Sequence, residues 1–370
     1  MAIVSPTPLP RTLPLLQIFR GGAAVFVVLF HVTWFGRVLD PQYFLWGAFL
    51  FGHSGVDFFF VLSGFIMAYA HAADAGYPAQ AWPFVKARVA RIFPAYWIVL
   101  AITLASYAYH PGLGDYALNV PTAARAAVLY EQLREPVVPV AWSLSFELAF
   151  YLFFVLYVVA GTAPFVVASV AWCGLIAAGS VWGWYWSART LLSPLVVEFF
   201  LGSLAALIIL RWRPRFGPRA LLAAGILWLA VAAGDASGYL DTNLNVRNFA
   251  IPYFLLILTA AGYDLGRTRA YPWPLLLLGD ASYAVFLVHY LVVQNGTLWL
   301  TAHPGIAATL GLQVTLALLA GVMIATGIAF HLVIEAPLHA RVRRMLSVRR
   351  REVRMLAAAV AEPPLGVPSA

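Results

Sequence analysis

One cysteine in 370 residues, Cys173, rules out an intrachain disulfide framework and a multi-cysteine metal site. Charge is scarce too. Only 10% of the residues are Asp, Glu, Lys or Arg, where a water-soluble domain carries about 25%. A surface facing water on all sides cannot be built from this chain. Strict alternation of apolar and polar residues is also missing, which argues against the strands of a membrane barrel. What the sequence has instead is length of apolar run: 62% hydrophobic residues and a mean hydropathy of +0.84. In lipid, runs apolar on every face close their backbone hydrogen bonds only as helices. The 24 prolines and 28 glycines are compatible with this, because neighbouring helices satisfy freed backbone groups.

At about 20 residues per crossing, an all-α polytopic membrane protein of about ten transmembrane helices is expected. The spans fall near 13–36, 46–71, 91–109, 141–160, 163–183, 194–211, 219–234, 249–265, 280–301 and 306–335. The first is too long, and too interrupted by Arg20, for a cleaved signal peptide, and reads as a retained helix. The net charge of +8 lies in short basic clusters between the runs. It therefore reads as topology signal and anchoring to the lipid bilayer, with no nucleic acid as partner. Placing Arg11, Lys86, Arg88, Arg91, the Arg211–Arg219 cluster and the tail from Arg341 on one side puts both termini in the cytoplasm. Residues 1–340 read as one membrane domain and 341–370 as a basic, then Pro-rich, cytoplasmic tail. In the polar loop 110–140, AARAAVLYEQLRE is expected to form a short interfacial helix.

Charges inside the runs are the informative residues, since each is costly in hydrocarbon. Arg20 and His31 share one face of the first helix about 16 Å apart along its axis. In FGHSGVDFFFVLSGFIM, His53 and Asp57 stand four apart, and Ser63 and Gly64 follow. Lys86, Arg88 and Arg91 cluster at the cytoplasmic entrance of the third span, where two arginines three apart can grip phosphate oxygens. Ser143, Glu147 and Tyr151 make a polar stripe on the fourth span. All but the Glu147 stripe have a plainer explanation: snorkelling for Arg20, an interfacial cap for His31, a packing pair for His53 and Asp57, topology for the arginines. Glu198, Asp280, His289 and Glu335 read as satisfied structural partners, and His71, His110, His303, His331 and His339 as surface or packing residues. By depth, His31, Asp57 and Glu147 fall together in the outer half or near the midplane, above a basic cytoplasmic mouth.

RGGAAVFVVLFH, GVDFFFVLSGFIM, RVARIFPAYW, WSLSFELAFY, LGDASYAVFLVH and a final EAP, in that order, resemble the integral-membrane acyltransferase family 3 over about residues 12–340. The resemblance implies a multi-helix O-acyltransferase of the inner (plasma) membrane. Such enzymes modify polysaccharides, peptidoglycan or natural products. It implies His31 as catalytic base, within an Arg-then-ten-then-His signature that starts at Arg20. It implies Arg88 and Arg91 as contacts to acyl-CoA, with acetyl-CoA the expected donor and a carbohydrate or other hydroxyl-bearing acceptor. Many relatives carry an extracytoplasmic hydrolase-like domain. This chain ends in a short tail, which leaves two alternatives, transfer completed by this chain alone or with a separate extracytoplasmic partner.

Residues and resemblance converge on one scheme. Coenzyme A phosphates dock on Lys86, Arg88 and Arg91, and the pantetheine arm passes Arg20. His31 accepts the proton of an acceptor hydroxyl, and Asp57 or Glu147 steadies its imidazole. The sequence does not choose between those carboxylates, nor between direct transfer and an acyl-histidine intermediate. Trp142, Ser143, Tyr151 and Ser63 are expected to line the acceptor pocket. No metal is expected, and an acyl-Cys173 relay is disfavoured. The rival is a proton-coupled transporter or flippase, which would use the same intramembrane charges.

Overall fold

The computed structural model describes residues 10, 12–39, 44–110, 113, 119–130, 136–182, 190–239, 245–265, 270–342 and 344–345. Among these are thirteen α-helices and no strand: α1 Pro14–Gly36, α2 Gly55–Ala70, α3 Ala81–Tyr109, α4 Val120–Ala127, α5 Trp142–Ala160, α6 Thr162–Trp182, α7 Val196–Trp212, α8 Pro218–Ala236, α9 Asn245–Asp264, α10 Trp273–Asp280, α11 Ser282–Ala302, α12 Pro304–Leu310 and α13 Leu312–Phe330. Ten are long, one for each expected span, and eight spans are long and apolar enough to cross a bilayer on their own. The other two are α7, with 17 residues, and α9, which carries Asn245, Arg247, Asn248 and Asp264 near its ends. Burial in the bundle makes up for what α7 lacks in length: Val196, Glu198, Phe199, Ala205, Ala206 and Ile209 are all enclosed.

Several boundaries differ from the sequence expectation. The third span starts at Ala81, not near 91, because Pro83 falls in the first turn, where its missing N–H costs nothing. Arg88 and Arg91 therefore lie on the helix itself. The second span is two 3₁₀ turns, Phe44–Gly47 and Leu50–Ser54, before α2 begins. The last is divided at Gly311 into α12 and α13, and α13 runs on through a π turn, His331–Glu335, just ahead of Pro337. The interfacial helix is α4, earlier and shorter than expected. Asn119 caps its start by accepting from the Thr122 N–H (2.9 Å), and Tyr96 and Trp97 of α3 donate to its last carbonyls, those of Ala126 and Ala127. Residues 131–135 of the same stretch, and most of the tail, lie outside the described residues.

Two crossings fix the frame. α2 and α7 pack backbone to backbone: a Cβ on Gly64 would lie 1.9 Å from the Phe199 carbonyl oxygen, and one on Gly202 would lie 1.8 Å from that of Val61. At the other, Gly21 of α1 meets Gly279 of α10, where a Cβ on Gly279 would lie 2.3 Å from the Gln17 carbonyl oxygen. Asp264 accepts from the Leu15 N–H (2.8 Å) and so caps the start of α1. α2 is the most enclosed helix, while α6, α8 and α13 carry exposed Val167, Val170, Leu222, Leu229, Leu318 and Val322. These outer faces suit lipid.

Candidate active site

Two cavities lie toward opposite ends of the bundle. One, of about 480 Å³, is formed where α3 and α11 begin, and is lined by Arg20, Ser63, Arg88, Arg91, Glu147 and Tyr151 among others. The second, of about 770 Å³, is formed where α1 ends and α5 begins, beneath α4. It is lined by His31, His53, Trp34, Trp142, Tyr290 and Phe30 among others. Val56 and Phe286 line both cavities.

In the arginine cavity, the Gly21–Gly279 crossing brings Arg20 against the end of α10. Its Nε donates to the Gly279 carbonyl (3.0 Å) and to Ser282 Oγ (2.7 Å), and Nη2 donates to Gly279 and Asp280 carbonyls. A cation at the carbonyl end of a helix is favourable, so Arg20 is partly a structural clasp. Arg88 lies over the rings of Phe84 (5.6 Å) and Tyr151 (5.8 Å). Its Nε is buried and meets no acceptor among the described residues. A buried donor of that kind fits an anionic ligand. Arg91 lines the cavity beside it. Lys86 does not line it, and lies 5.6 Å from the Trp82 ring. On the facing wall, Ser63 donates to Glu147 Oε1 (3.1 Å) and the Tyr151 hydroxyl donates to the same oxygen. His339, read from sequence as surface or packing, is also at this cavity.

The histidine cavity departs from the sequence expectation in its partners. A carbonyl only accepts, so the 2.9 Å contact of His31 Nδ1 with Val27 O requires the proton on Nδ1 and leaves the lone pair on Nε2. His289 Nδ1 bonds the carbonyls of Phe286 (2.6 Å) and Val285 (3.2 Å) in the same way. Its Nε2 then accepts from His31 Nδ1–H at 3.2 Å. Among the described residues no carboxylate contacts His31. Asp57 is turned to α7, beside Glu198, without a hydrogen bond of ordinary geometry. The Gly64–Gly202 crossing sets that rotation of α2. His53 does not pair with Asp57 either. The 3₁₀ turn before α2 breaks their helical spacing, and His53 donates instead to Asp235 at the end of α8 (3.1 Å).

The four residues expected in the acceptor pocket separate. Trp142 lines the cavity that holds His31, whereas Ser63, Ser143 and Tyr151 line the one that holds the arginines. Glu147 is with the arginines as well, so the histidine–carboxylate cluster read from depth alone is dispersed, with His31 in one cavity, Glu147 in the other and Asp57 in neither. Cys173 is half-buried on α6 and lines neither. Sequence reasoning missed His289 as a partner of His31, although its place in LGDASYAVFLVH offered a signal. It also missed Asp235, for which the sequence has no signal beyond a carboxylate in an apolar run.

A family model, the acyltransferase domain, matches residues 14–333. With ten long helices and two cavities among the described residues, the molecule is a multi-pass membrane enzyme, a transferase acting on acyl groups. The chain belongs to the acyltransferase 3 family. It is 28% identical over 313 residues to the exopolysaccharide production protein ExoZ of Rhizobium meliloti (strain 1021), with 80% of this chain and 92% of that protein covered. It is 29% identical over 336 residues to the acyltransferase MdmB of Streptomyces mycarofaciens, covering 77% of this chain and 80% of that one. No solved structure matches the chain with significance.

Proposed function

We propose that the enzyme, seated in the plasma membrane with its arginine cavity toward the cytoplasm, takes an acyl group, acetyl foremost, from acyl-coenzyme A in that cavity. The group passes to a hydroxyl of a glycan or other acceptor in the histidine cavity. The observation that carries the reading is the pair of cavities with unlike chemistry, one cationic and one imidazole-bearing, that share Val56 and Phe286 as a wall. A donor with a charged head and a slim reactive end fits such a pair. Arg88 and Arg91 meet its phosphates, and the thioester end reaches past Phe286 toward His31. The exopolysaccharide production role in one relative's name supports a glycan as acceptor.

His31 Nε2 takes the proton of the acceptor hydroxyl as its oxygen bonds to the thioester carbonyl carbon. The carbon–sulfur bond then breaks, and the proton on His31 passes to the departing thiolate of coenzyme A. While His31 is doubly protonated, its Nδ1–H bonds the Val27 carbonyl and the lone pair of His289. An imidazole thus holds the place that a carboxylate holds in a Ser–His–Asp triad. Glu147, with Tyr151 and Ser63, shapes the donor side rather than the base.

Purified full-length protein given acetyl-CoA and acceptor should release free coenzyme A, and His31→Gln should reduce that release about 10²- to 10⁴-fold with donor affinity unchanged. Full activity in that variant would remove the base. Acceptor movement without any thioester would make the protein a carrier instead.

A further inference from the structure

The histidine cavity holds a second imidazole that the scheme above does not use. His53 lines the same walls as His31, and the two rings flank one side chain, Phe30, whose centroid is 5.0 Å from His31 and 5.7 Å from His53. Their supports differ. His31 rests on a carbonyl and another imidazole, whereas His53 Nε2–H is held by Asp235 Oδ2 at 3.1 Å. The His53 side chain is 26% exposed and that of Asp235 only 3%. Asp235 is also badly placed for stability alone. It sits in the last turn of α8, at the negative end of the helix dipole, which disfavours a carboxylate, and its Oδ1 is buried without a partner among the described residues. A buried acid kept in such a position, aimed at an imidazole that faces a cavity, is an arrangement for binding.

We propose that His53, positioned by Asp235, binds the acceptor. It holds one polar group of the acceptor, a hydroxyl adjacent to the reacting one, so that the neighbouring hydroxyl meets His31. This rests on the acyl-transfer reading and adds to it a preference for acceptors that carry two adjacent hydroxyls. The aromatic side chains of Trp34, Trp142 and Tyr290 give such a ligand flat walls around the two imidazoles.

The test compares cis-1,2-cyclohexanediol with cyclohexanol as acceptors for the purified full-length enzyme with acetyl-CoA, in wild type, His53→Gln and Asp235→Asn. Wild type should favour the diol. His53→Gln should lower kcat/KM for the diol by about 10- to 100-fold, mainly through KM, and leave cyclohexanol and donor affinity unchanged. Asp235→Asn should show the same pattern more weakly, which mere loss of structure would not do. Equal effects on both alcohols, no preference in wild type, or an undiminished His53→Gln enzyme would overturn the proposal. Diol binding without donor, followed by saturation-transfer NMR, separates it from the reading beneath it. Binding that depends on His53, in a protein that transfers nothing, would sink the transferase reading and keep the site. Transfer with binding indifferent to His53 would do the reverse, and no binding with no transfer would end both.

Discussion

The two cavities share a wall and little else. The arginine cavity presents cations and a carboxylate bonded by Ser63 and Tyr151, and one of its guanidinium nitrogens is buried without an acceptor among the described residues. The histidine cavity presents imidazoles against aromatic rings, and each imidazole has a different support. Cations without enough protein partners suit a ligand that brings its own anions. Imidazoles held in place by hydrogen bonds suit a ligand that brings a proton. A protein that kept both functions in one cavity would set its base beside guanidinium groups, where holding a proton is harder. Separation by Val56 and Phe286, which line both cavities, avoids that conflict.

The most damaging change should be one that removes the wall's foundation. Gly202→Leu puts side-chain atoms into the Val61 backbone, and should abolish both cavities together, seen as loss of a monodisperse protein in detergent. Short of that, Arg88→Ala with Arg91→Ala should weaken acyl-CoA binding by about 10- to 100-fold, more at low salt than at high, and leave acceptor binding untouched. Unchanged donor affinity would return the pair to topology signals. His289→Phe should lower kcat about tenfold with both KM values kept, since it removes the support of the charged imidazole but no ligand contact. An effect on donor KM would show that the two cavities are less separate than their linings suggest. The smallest effect falls on the shared wall: Phe286→Leu should raise the ratio of butyryl to acetyl transfer severalfold, measured with paired donors. An unaltered ratio would mean that acyl length is set elsewhere.

Much of this was legible in the sequence. Ten long helices fall where the apolar runs are, because hydrocarbon leaves a chain no other way to satisfy its backbone. His31 and Arg20 do lie at two depths of α1, since helical spacing fixes height and face along a single element. What spacing does not fix is the rotation of one helix against the next. Asp57 stands at a height suited to His31 and is nonetheless turned toward Glu198, because α2 meets α7 at Gly64 and Gly202. Glu147 shares a cavity with Arg88 for a related reason: the direction of its face on α5 depends on neighbours far away in sequence. His53 and Asp235 are brought together from 182 residues apart, and no local pattern encodes that distance.

By itself, the sequence determined that this protein is a helical membrane bundle with charges retained in the apolar interior, since composition and periodicity act through local backbone energetics. Tertiary structure alone decided which charges meet. Helix rotation is set by close packing between distant segments, and that packing gave His31 an imidazole partner, gave His53 a carboxylate, and put the arginines in a cavity of their own.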